Sequence, residues 1–558
     1  MTELITTLAV VFITAGLFLL IANQLSLSPI PFFLVAGLVT GRFIEDPELV
    51  ELAQWGIAFL VFTFGFRTDF GSVEGVIRDA ETAAVTQLVV VGPIAFAVAT
   101  LFGYGVENAV YFAVAATLSS TIVGARELEQ EIRNNLVYGR LASSVHLFDD
   151  LLAIGLIVVL SADQYTTTIV TSKIGFGVIF LLAALLVYRH GFPLLVRLAG
   201  GSDELVMMGS ISILIAFIAG AEFADVSIVV GAFAAGIAVR GDDVSSIGVR
   251  NGIASIRDFF VAIFFVTLGA LVSIPSVEVL VVAATLAVLV LFVNPLVLMI
   301  AFVFEGYDAR TAFFASTSLN QVSELSLVVA IQAWLLGTIT EALFDAIILA
   351  AAATMILTSV ARRYEEPVYR SIVGRILEER QTQKIDDRSY VESDLTDHIV
   401  IVGYGRQGRR LVETCERLDP EYVVVENDPV LWDDMRAECE NYVFGDAMSR
   451  YPLEKARIGA AALVVSTVDH RPLSEALLEI ETDADLVLRT ETSVEAHELL
   501  DSDVTYVSVP NVLASDQLSD TVEAVVRGEL DEADARAEHL ETLETLERYK
   551  LDARFGNR

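Results

Sequence analysis

Two adjacent aspartates, Asp149 and Asp150, lie within the otherwise apolar stretch 136–160 (LVYGRLASSVHLFDDLLAIGLIVVL). A run of that length can cross a bilayer, for which roughly 20 apolar residues suffice. An ionised carboxylate at mid-membrane costs about 2.5–3.5 kcal/mol on insertion scales. Neighbouring carboxylates also repel, so the pair titrates as a unit and is poised to hold protons or a cation. Two structural carboxylates at a helix end near water are the bland alternative.

Two further apolar segments carry polar residues at comparable depth. ATLSSTIVGA places Thr117, Ser119, Ser120 and Thr121 in one, and STSLNQVSELSLVV places Ser318, Asn320, Gln321, Ser323 and Glu324 in the other. Corresponding polar breaks in two halves of a membrane chain point to a secondary transporter built from inverted repeats. Unwound backbone exposes carbonyls and helix ends to an ion, and hydroxyls add neutral oxygen ligands. Hydroxyls bonding back to their own helices would be the ordinary reading of either run alone. Protons and a monovalent cation competing for Asp149 and Asp150 would couple their movements in opposite directions, provided the site faces one side at a time. His146, four residues before Asp150 on the same helix face, either tunes the pair or is simply hydrogen-bonded within the bundle.

The elements that must position these groups are helices. Apolar segments at 4–23, 27–43, 49–66, 82–103, 108–125, 136–160, 169–189, 204–221, 224–240, 253–271, 277–304, 311–333 and 338–361 predict about thirteen membrane spans. That count puts thirteen arginines, from Arg67 to Arg363, on one side and only Arg42 and Lys173 on the other. By the positive-inside rule the N-terminus faces out and the C-terminal part is cytoplasmic. The first segment lacks a basic lead-in and a small-residue cleavage site, so it reads as a retained span.

Composition agrees with a membrane part and a soluble part. The 558 residues are 54% hydrophobic, yet the net charge is −37 and only four lysines occur. So acidic a chain argues against nucleic acid as a partner, because phosphate binding needs clustered positive charge. It suits a protein solvated in concentrated salt, where carboxylate repulsion is screened, and the source reads as a halophilic archaeon. The two cysteines, Cys415 and Cys439, form no zinc-like spacing.

The soluble part opens on HIVIVGYGRQGRRLVETC, an apolar strand, a glycine-rich turn and a helix. Gly403, Tyr404, Gly405, Arg406, Gln407 and Gly408 make the G-x-G-x-x-G spacing, with the helix N-terminus facing phosphates. A second strand, YVVVEND, ends in Glu426, placed to grip ribose hydroxyls. VFGDA and ALVVST continue the alternation of a doubly wound sheet. The predicted domains are a transmembrane exchanger at 1–363, a linker helix at 364–396, a Rossmann domain at 397–512 and an acidic helical tail at 513–558.

Over nearly the whole chain these segments resemble the Kef-type monovalent cation:proton antiporters. The resemblance is carried by GIAFLVFTFGFRTDF (Gly56–Phe70), TLSSTIV (Thr117–Val123), HLFDDLLAI (His146–Ile154), SIVVGAFAAGIAV (Ser227–Val239), RDFFVAIFFVTLGA (Arg257–Ala270) and SLNQVSELSLVV (Ser318–Val329). It implies an α-helical exchanger with two broken crossing helices, Asp150 as the ion-binding aspartate, and a homodimer in the cell membrane. Asp149 before Asp150 resembles the sodium/proton branch. Asn294 stands where that branch has a lysine, and Gly65-Phe66-Arg67 departs from the family's third-span pattern. Glu324, Thr117, Ser119 and Ser120 join the expected site.

The soluble part resembles the nucleotide-binding RCK (TrkA-N) domains that regulate potassium channels and transporters. That resemblance aligns Asp446 and Thr467 with residues bordering an adenine nucleotide, NAD(H) first, with AMP or ATP open. The chain therefore reads as a transporter rather than an enzyme, exchanging Na⁺ or K⁺ for protons under nucleotide control. A nucleotide-gated potassium channel would need a TVGYG-like filter, which the sequence lacks. A membrane-anchored oxidoreductase would rest on Tyr451 and Lys455, which lie too close behind the glycine turn.

Overall fold

The computed structural model describes residues 2–25, 27–41, 46–67, 77–133, 136–160, 167–239, 247–374, 376, 385–502, 504–528, 536 and 540. Two compact units form: residues 1–305 with 312–369, and residues 306–311 with 370–558.

The first unit is helical. Its helices are α1 (Thr2–Leu25), α2 (Pro29–Thr40), α3 (Asp46–Arg67), α4 (Ile77–Leu101), α5 (Val106–Thr117), α6 (Thr121–Glu127), α7 (Glu129–Arg133), α8 (Val137–Leu160) and α9 (Thr167–Leu186). They continue as α10 (Phe192–Ala199), α11 (Asp203–Phe223), α12 (Ile228–Val239), α13 (Ile247–Ala270), α14 (Val277–Val288), α15 (Asn294–Glu305), α16 (Ala309–Thr317), α17 (Glu324–Leu335), α18 (Glu341–Ala361) and α19 (Glu365–Val368). Among the described residues, eight helical segments are long and apolar enough to cross a membrane by length and composition. Large side chains such as Leu20, Leu182, Phe292 and Phe304 stay exposed on the outside, as a surface facing hydrocarbon requires.

Each predicted span falls on helix, but two of them are interrupted: 108–125 divides into α5 and α6, and 311–333 into α16 and α17. Serine ends both interruptions. The Ser120 hydroxyl accepts the Val123 N–H at 3.3 Å, and the Ser323 hydroxyl accepts the Leu325 N–H at 3.0 Å, so each starts its helix as an N-cap. Elsewhere α14 and α15 form one rod through a wide π-turn, Leu289–Val293. Pro295 explains it: proline has no N–H to give the carbonyl four residues back, and its ring crowds that carbonyl. The π-turn Val187–Gly191 stands likewise just before Pro193.

The second unit is a six-stranded parallel sheet in the order β3-β2-β1-β4-β5-β6. The strands are β1 (His398–Val402), β2 (Tyr422–Glu426), β3 (Tyr442–Phe444), β4 (Ala461–Ser466), β5 (Asp485–Arg489) and β6 (Tyr506–Ser508). Helices α20 (Arg406–Leu418), α21 (Trp432–Glu438), α22 (Arg450–Lys455), α23 (Arg471–Leu478) and α24 (Ser493–Leu500) make the crossovers, and α25 (Pro510–Val526) follows β6. This is the doubly wound order, with a switch point between β1 and β4.

Two predicted boundaries shift. The end of the linker belongs to the second unit: Leu395 is in its core, Ile385 and Val391 pack on it, and Tyr390 bridges antiparallel to Tyr442. The 512/513 boundary falls inside α25. Most of the predicted tail, and residues 377–384 of the linker, lie outside the described residues.

Candidate functional site

The two interrupted helices meet. Ser119 and Val322 form an antiparallel bridge, and the Ser323 N–H donates to the Leu118 carbonyl at 3.1 Å. Broken backbone at this depth needs such partners, because lipid supplies none. From α18, the Thr354 hydroxyl accepts the Val322 N–H at 3.2 Å, and the Thr358 hydroxyl donates to the Asn320 carbonyl at 3.2 Å.

Helix α8 brings the aspartates to this crossing. Asp149 is 2% exposed, and its Oδ2 accepts the Ser119 N–H at 2.9 Å and the Ser119 hydroxyl at 2.5 Å. Asp150 is half-buried on the neighbouring face, and its Oδ1 accepts the Thr121 hydroxyl at 2.7 Å. The two carboxylates therefore hold one break, Asp149 at its middle and Asp150 at the start of α6. The geometry offers a cation or protons two anionic groups whose orientations are fixed by neutral donors.

His146 is one link behind. Its Nδ1 lies 3.2 Å from the Ser119 oxygen, and Ser119 has already given its one hydroxyl proton to Asp149. With Asp149 ionised, Nδ1 carries the ring proton and donates, leaving Nε2 as the bare nitrogen. Nε2 faces Gly124, where an added Cβ would come within 2.3 Å of it. The sequence left two roles open for His146. The structure places it hydrogen-bonded in the bundle, one hydroxyl away from Asp149.

The remaining expected residues serve the crossing itself. Glu324 begins α17, and its Oε1 accepts the Ile122 N–H at 2.8 Å, placing a carboxylate at the start of α6 where the helix dipole favours it. The Asn294 amide donates to the Leu319 carbonyl at 3.3 Å, just beyond the end of α16, and is not bonded to Asp149. The Thr117 hydroxyl is spent on Ala113 and Val114 of its own helix, whereas the Ser120 oxygen accepts the cap N–H and its hydroxyl bonds the Glu324 carboxyl. Thr354 and Thr358 escaped the sequence reading. Their four-residue spacing on a largely apolar helix was the available signal.

In the second unit Gly403 adopts φ +94°, and a Cβ on Gly408 would meet the Gly403 carbonyl at 2.0 Å, so this turn needs both glycines. A Cβ on Gly405 would meet nothing within 4 Å, which leaves room at the start of α20 for a phosphate. Thr467 pins the turn, its hydroxyl lying 3.1 Å from the Val402 carbonyl and 3.2 Å from that of Gly403.

Arg489, at the end of β5, donates to Gln407 and to the Thr467 carbonyl and pairs with Glu491 at 2.7 Å, while its buried Nε has no partner. It is a basic group beside the turn that the motif search did not find. Arg406 opens α20. These residues fit the phosphates of a nucleotide. The ribose end is less free than expected. Glu426 Oε2 accepts the Tyr404 N–H at 2.6 Å, and Oε1 accepts the N–H groups of Asn427 and Asp428 at 2.8 Å each. Burial, with Asp428 adding to it, pushes this carboxyl above the usual range.

The Tyr404 ring points away from the turn, with its hydroxyl on Glu438 and Arg409 stacked over it. Asp446 pairs at 3.2 Å with Arg310, in the segment 306–311 that belongs to this unit although α16 continues into the first. Tyr451 and Lys455 both bind Asp386, a surface clamp rather than a dehydrogenase pair.

Comparison with known proteins agrees with both units. The model of the transmembrane sodium/hydrogen exchanger family matches residues 8–363, and that of the TrkA-N domain matches residues 399–510. YbaL of Escherichia coli (strain K12), named as a candidate cation/proton antiporter, is 26% identical over 84% of this chain and 87% of its own. The glutathione-regulated potassium-efflux system protein KefC of Escherichia coli (strain SMS-3-5) is 23% identical over 82% and 74%. The first unit has the fold of the sodium proton antiporter MjNhaP1 from Methanocaldococcus jannaschii at pH 8. The TM-score is 0.51 at 14% identity, covering 67% of this chain and 99% of that one. With two broken helices crossing beside an aspartate pair, and a glycine-turn domain later in the sequence, the chain belongs to the sodium/hydrogen exchanger family, in its Kef-type form with a C-terminal TrkA-N domain.

Proposed function

We propose that the protein exchanges a monovalent cation for protons across the cell membrane at Asp149 and Asp150. The observation that carries this reading is the pairing of both aspartates with the same helix break, Asp149 with Ser119 at its middle and Asp150 with Thr121 at the start of α6. A proton on these carboxylates and a cation among them exclude one another, so a site open to one side at a time moves them oppositely. Asp150, the less buried of the two, is the group that meets the cation. Asp149 sets the charge and is held by Ser119. Na⁺ and K⁺ both remain chemically suited to hard carboxylate and hydroxyl oxygen.

The TrkA-N domain regulates this exchange by binding an adenine nucleotide, NAD(H) first, with its pyrophosphate at Gly403–Gly408 and the start of α20. The protein works as a homodimer with the N-terminus outside and the second unit in the cytoplasm of a halophilic archaeon. The acidic composition and the arginine asymmetry support those last readings.

The test is cation-dependent proton movement in proteoliposomes at high salt, for the wild type and Asp150→Asn, with Na⁺ and K⁺ assayed separately against an imposed pH gradient. Exchange present in the wild type and reduced at least a hundredfold in the variant is the expected result, and it names the ion. Equal proton flux in both proteins removes Asp150 from the mechanism. Cation flux without proton flux refutes exchange and leaves a channel.

A further inference from the structure

Helix α18 carries a second pair of carboxylates far from the crossing. Glu341 and Asp345 lie one turn apart, at the end of α18 opposite to the one from which the chain leaves the membrane unit. Glu341 is exposed and needs no special account, since the first turn of a helix favours an anion. Asp345 differs. It is 3% exposed, and its Oδ1 is buried with no hydrogen-bond partner.

The surroundings do not neutralise it. Ser273, between α13 and α14, turns its backbone N–H toward the Asp345 carboxyl and gives its hydroxyl proton to Glu341 at 2.5 Å. Both of its donors are thereby committed. The charged neighbour of Asp345 is Glu341 itself, and among the described residues no lysine or arginine pairs with either carboxylate. A buried carboxylate with an idle oxygen and a like charge one turn away is strongly disfavoured as the anion unless a proton or a cation joins it.

We infer that Glu341, Asp345 and Ser273 form a second binding site for a hard monovalent cation, separate from Asp149 and Asp150. Asp345 Oδ1 supplies the buried anionic ligand. Glu341 supplies the anionic ligand at the mouth, and the Ser273 hydroxyl oxygen supplies a neutral one. The remaining positions go to water, which the exposed side of Glu341 admits. Three protein oxygens are few for Ca²⁺, which takes six to eight, and Mg²⁺ gives up its own water reluctantly. Nine residues along the same helix, Thr354 holds the Val322 N–H at the crossing, so an ion bound here braces the helix that supports the transport site.

The experiment reads binding without transport, so its outcome does not depend on the exchange reading. In the Asp149→Asn, Asp150→Asn double variant of the full chain, the thermal unfolding midpoint is measured against NaCl and KCl. N-methylglucamine chloride keeps the ionic strength constant. A saturating rise of a few degrees is expected, absent when Asp345→Asn is added. Glu341→Gln, an exposed change that keeps the fold, should weaken the half-saturating concentration about tenfold. An unchanged rise in the triple variant, or no effect of Glu341→Gln, overturns the site. A rise with MgCl₂ or CaCl₂ alone overturns the assignment to a monovalent cation.

Discussion

At the scale of single residues, Ser119 does more than any other neutral side chain in the site. Its N–H and its hydroxyl both fix Asp149 Oδ2, and its oxygen receives His146. Hydrogen bonds to a charged group contribute about 1.5–3 kcal/mol each. Ser119→Ala should therefore weaken apparent cation affinity roughly ten- to a hundredfold, by that same scale, while Ser119→Thr keeps most of it. Half-saturating cation concentration in the liposome exchange assay checks this.

The second unit offers a residue-scale prediction of another kind. Burial pushes the Cys439 thiol up to about 11, and the Cys415 thiol upward as well. The thiolate is the reactive form, so raising the thiol removes reactivity: at pH 8 about one Cys439 in a thousand is ionised, far below an ordinary free cysteine. Neither cysteine should react with iodoacetamide at pH 8 in the folded protein, and both should react once it is unfolded in guanidinium. Counting labelled thiols by mass decides it.

At the scale of elements, α18 behaves as a splint for the second break. Removing the Thr354 hydroxyl strands the Val322 N–H where no water reaches it, a loss of about 1–3 kcal/mol. Thr354→Val preserves shape and should lower the unfolding midpoint and slow exchange together, whereas Thr285→Val, on an exposed hydroxyl bonded to its own helix, should do neither. Circular dichroism melts beside the transport assay provide the measurement.

The legibility of these elements in the sequence was uneven for physical reasons. The spans were readable because lipid demands long apolar runs, and the two breaks because hydroxyls and amides cluster there. The glycine turn was readable because only glycine fits Gly403 and Gly408. What the spacing could not reveal is where each polar group spends its bonds. Thr117 looked equal to Ser119 but turns back on its own helix, and Glu426 looked free for a ribose but accepts three backbone N–H groups. Asp345 sat unnoticed at the head of an ordinary span, since its burial depends on segments distant in sequence, α14 packed on α18 and Ser273 before it, rather than on its own neighbours. Arg489 lies eighty residues beyond the turn that it joins, so no local motif contains it.

At the scale of the whole molecule, charge dominates. The net charge is −37, and residues 364–558 carry 44 acidic against 21 basic residues. Charges on a folded surface repel over about 10 Å at 0.1 M salt but only about 3 Å at 1 M. Raising KCl from 0.1 to 2 M should therefore raise the unfolding midpoint by several degrees. Sucrose at matched osmolality, which leaves the repulsion unscreened, should give a clearly smaller rise. Scanning calorimetry in the two series separates them.

The π-turn ahead of Asn294 has a consequence of phase. One extra residue in a helical turn rotates everything beyond it by about 100° relative to regular winding. A helical wheel drawn straight through 277–305 would therefore set Asn294 on the wrong side of its rod, about a quarter-turn from the Leu319 carbonyl that it reaches. The aim of that amide is thus set by Pro295, a residue that donates nothing: by forcing the winding to slip, it acts as the indexing notch for the helix.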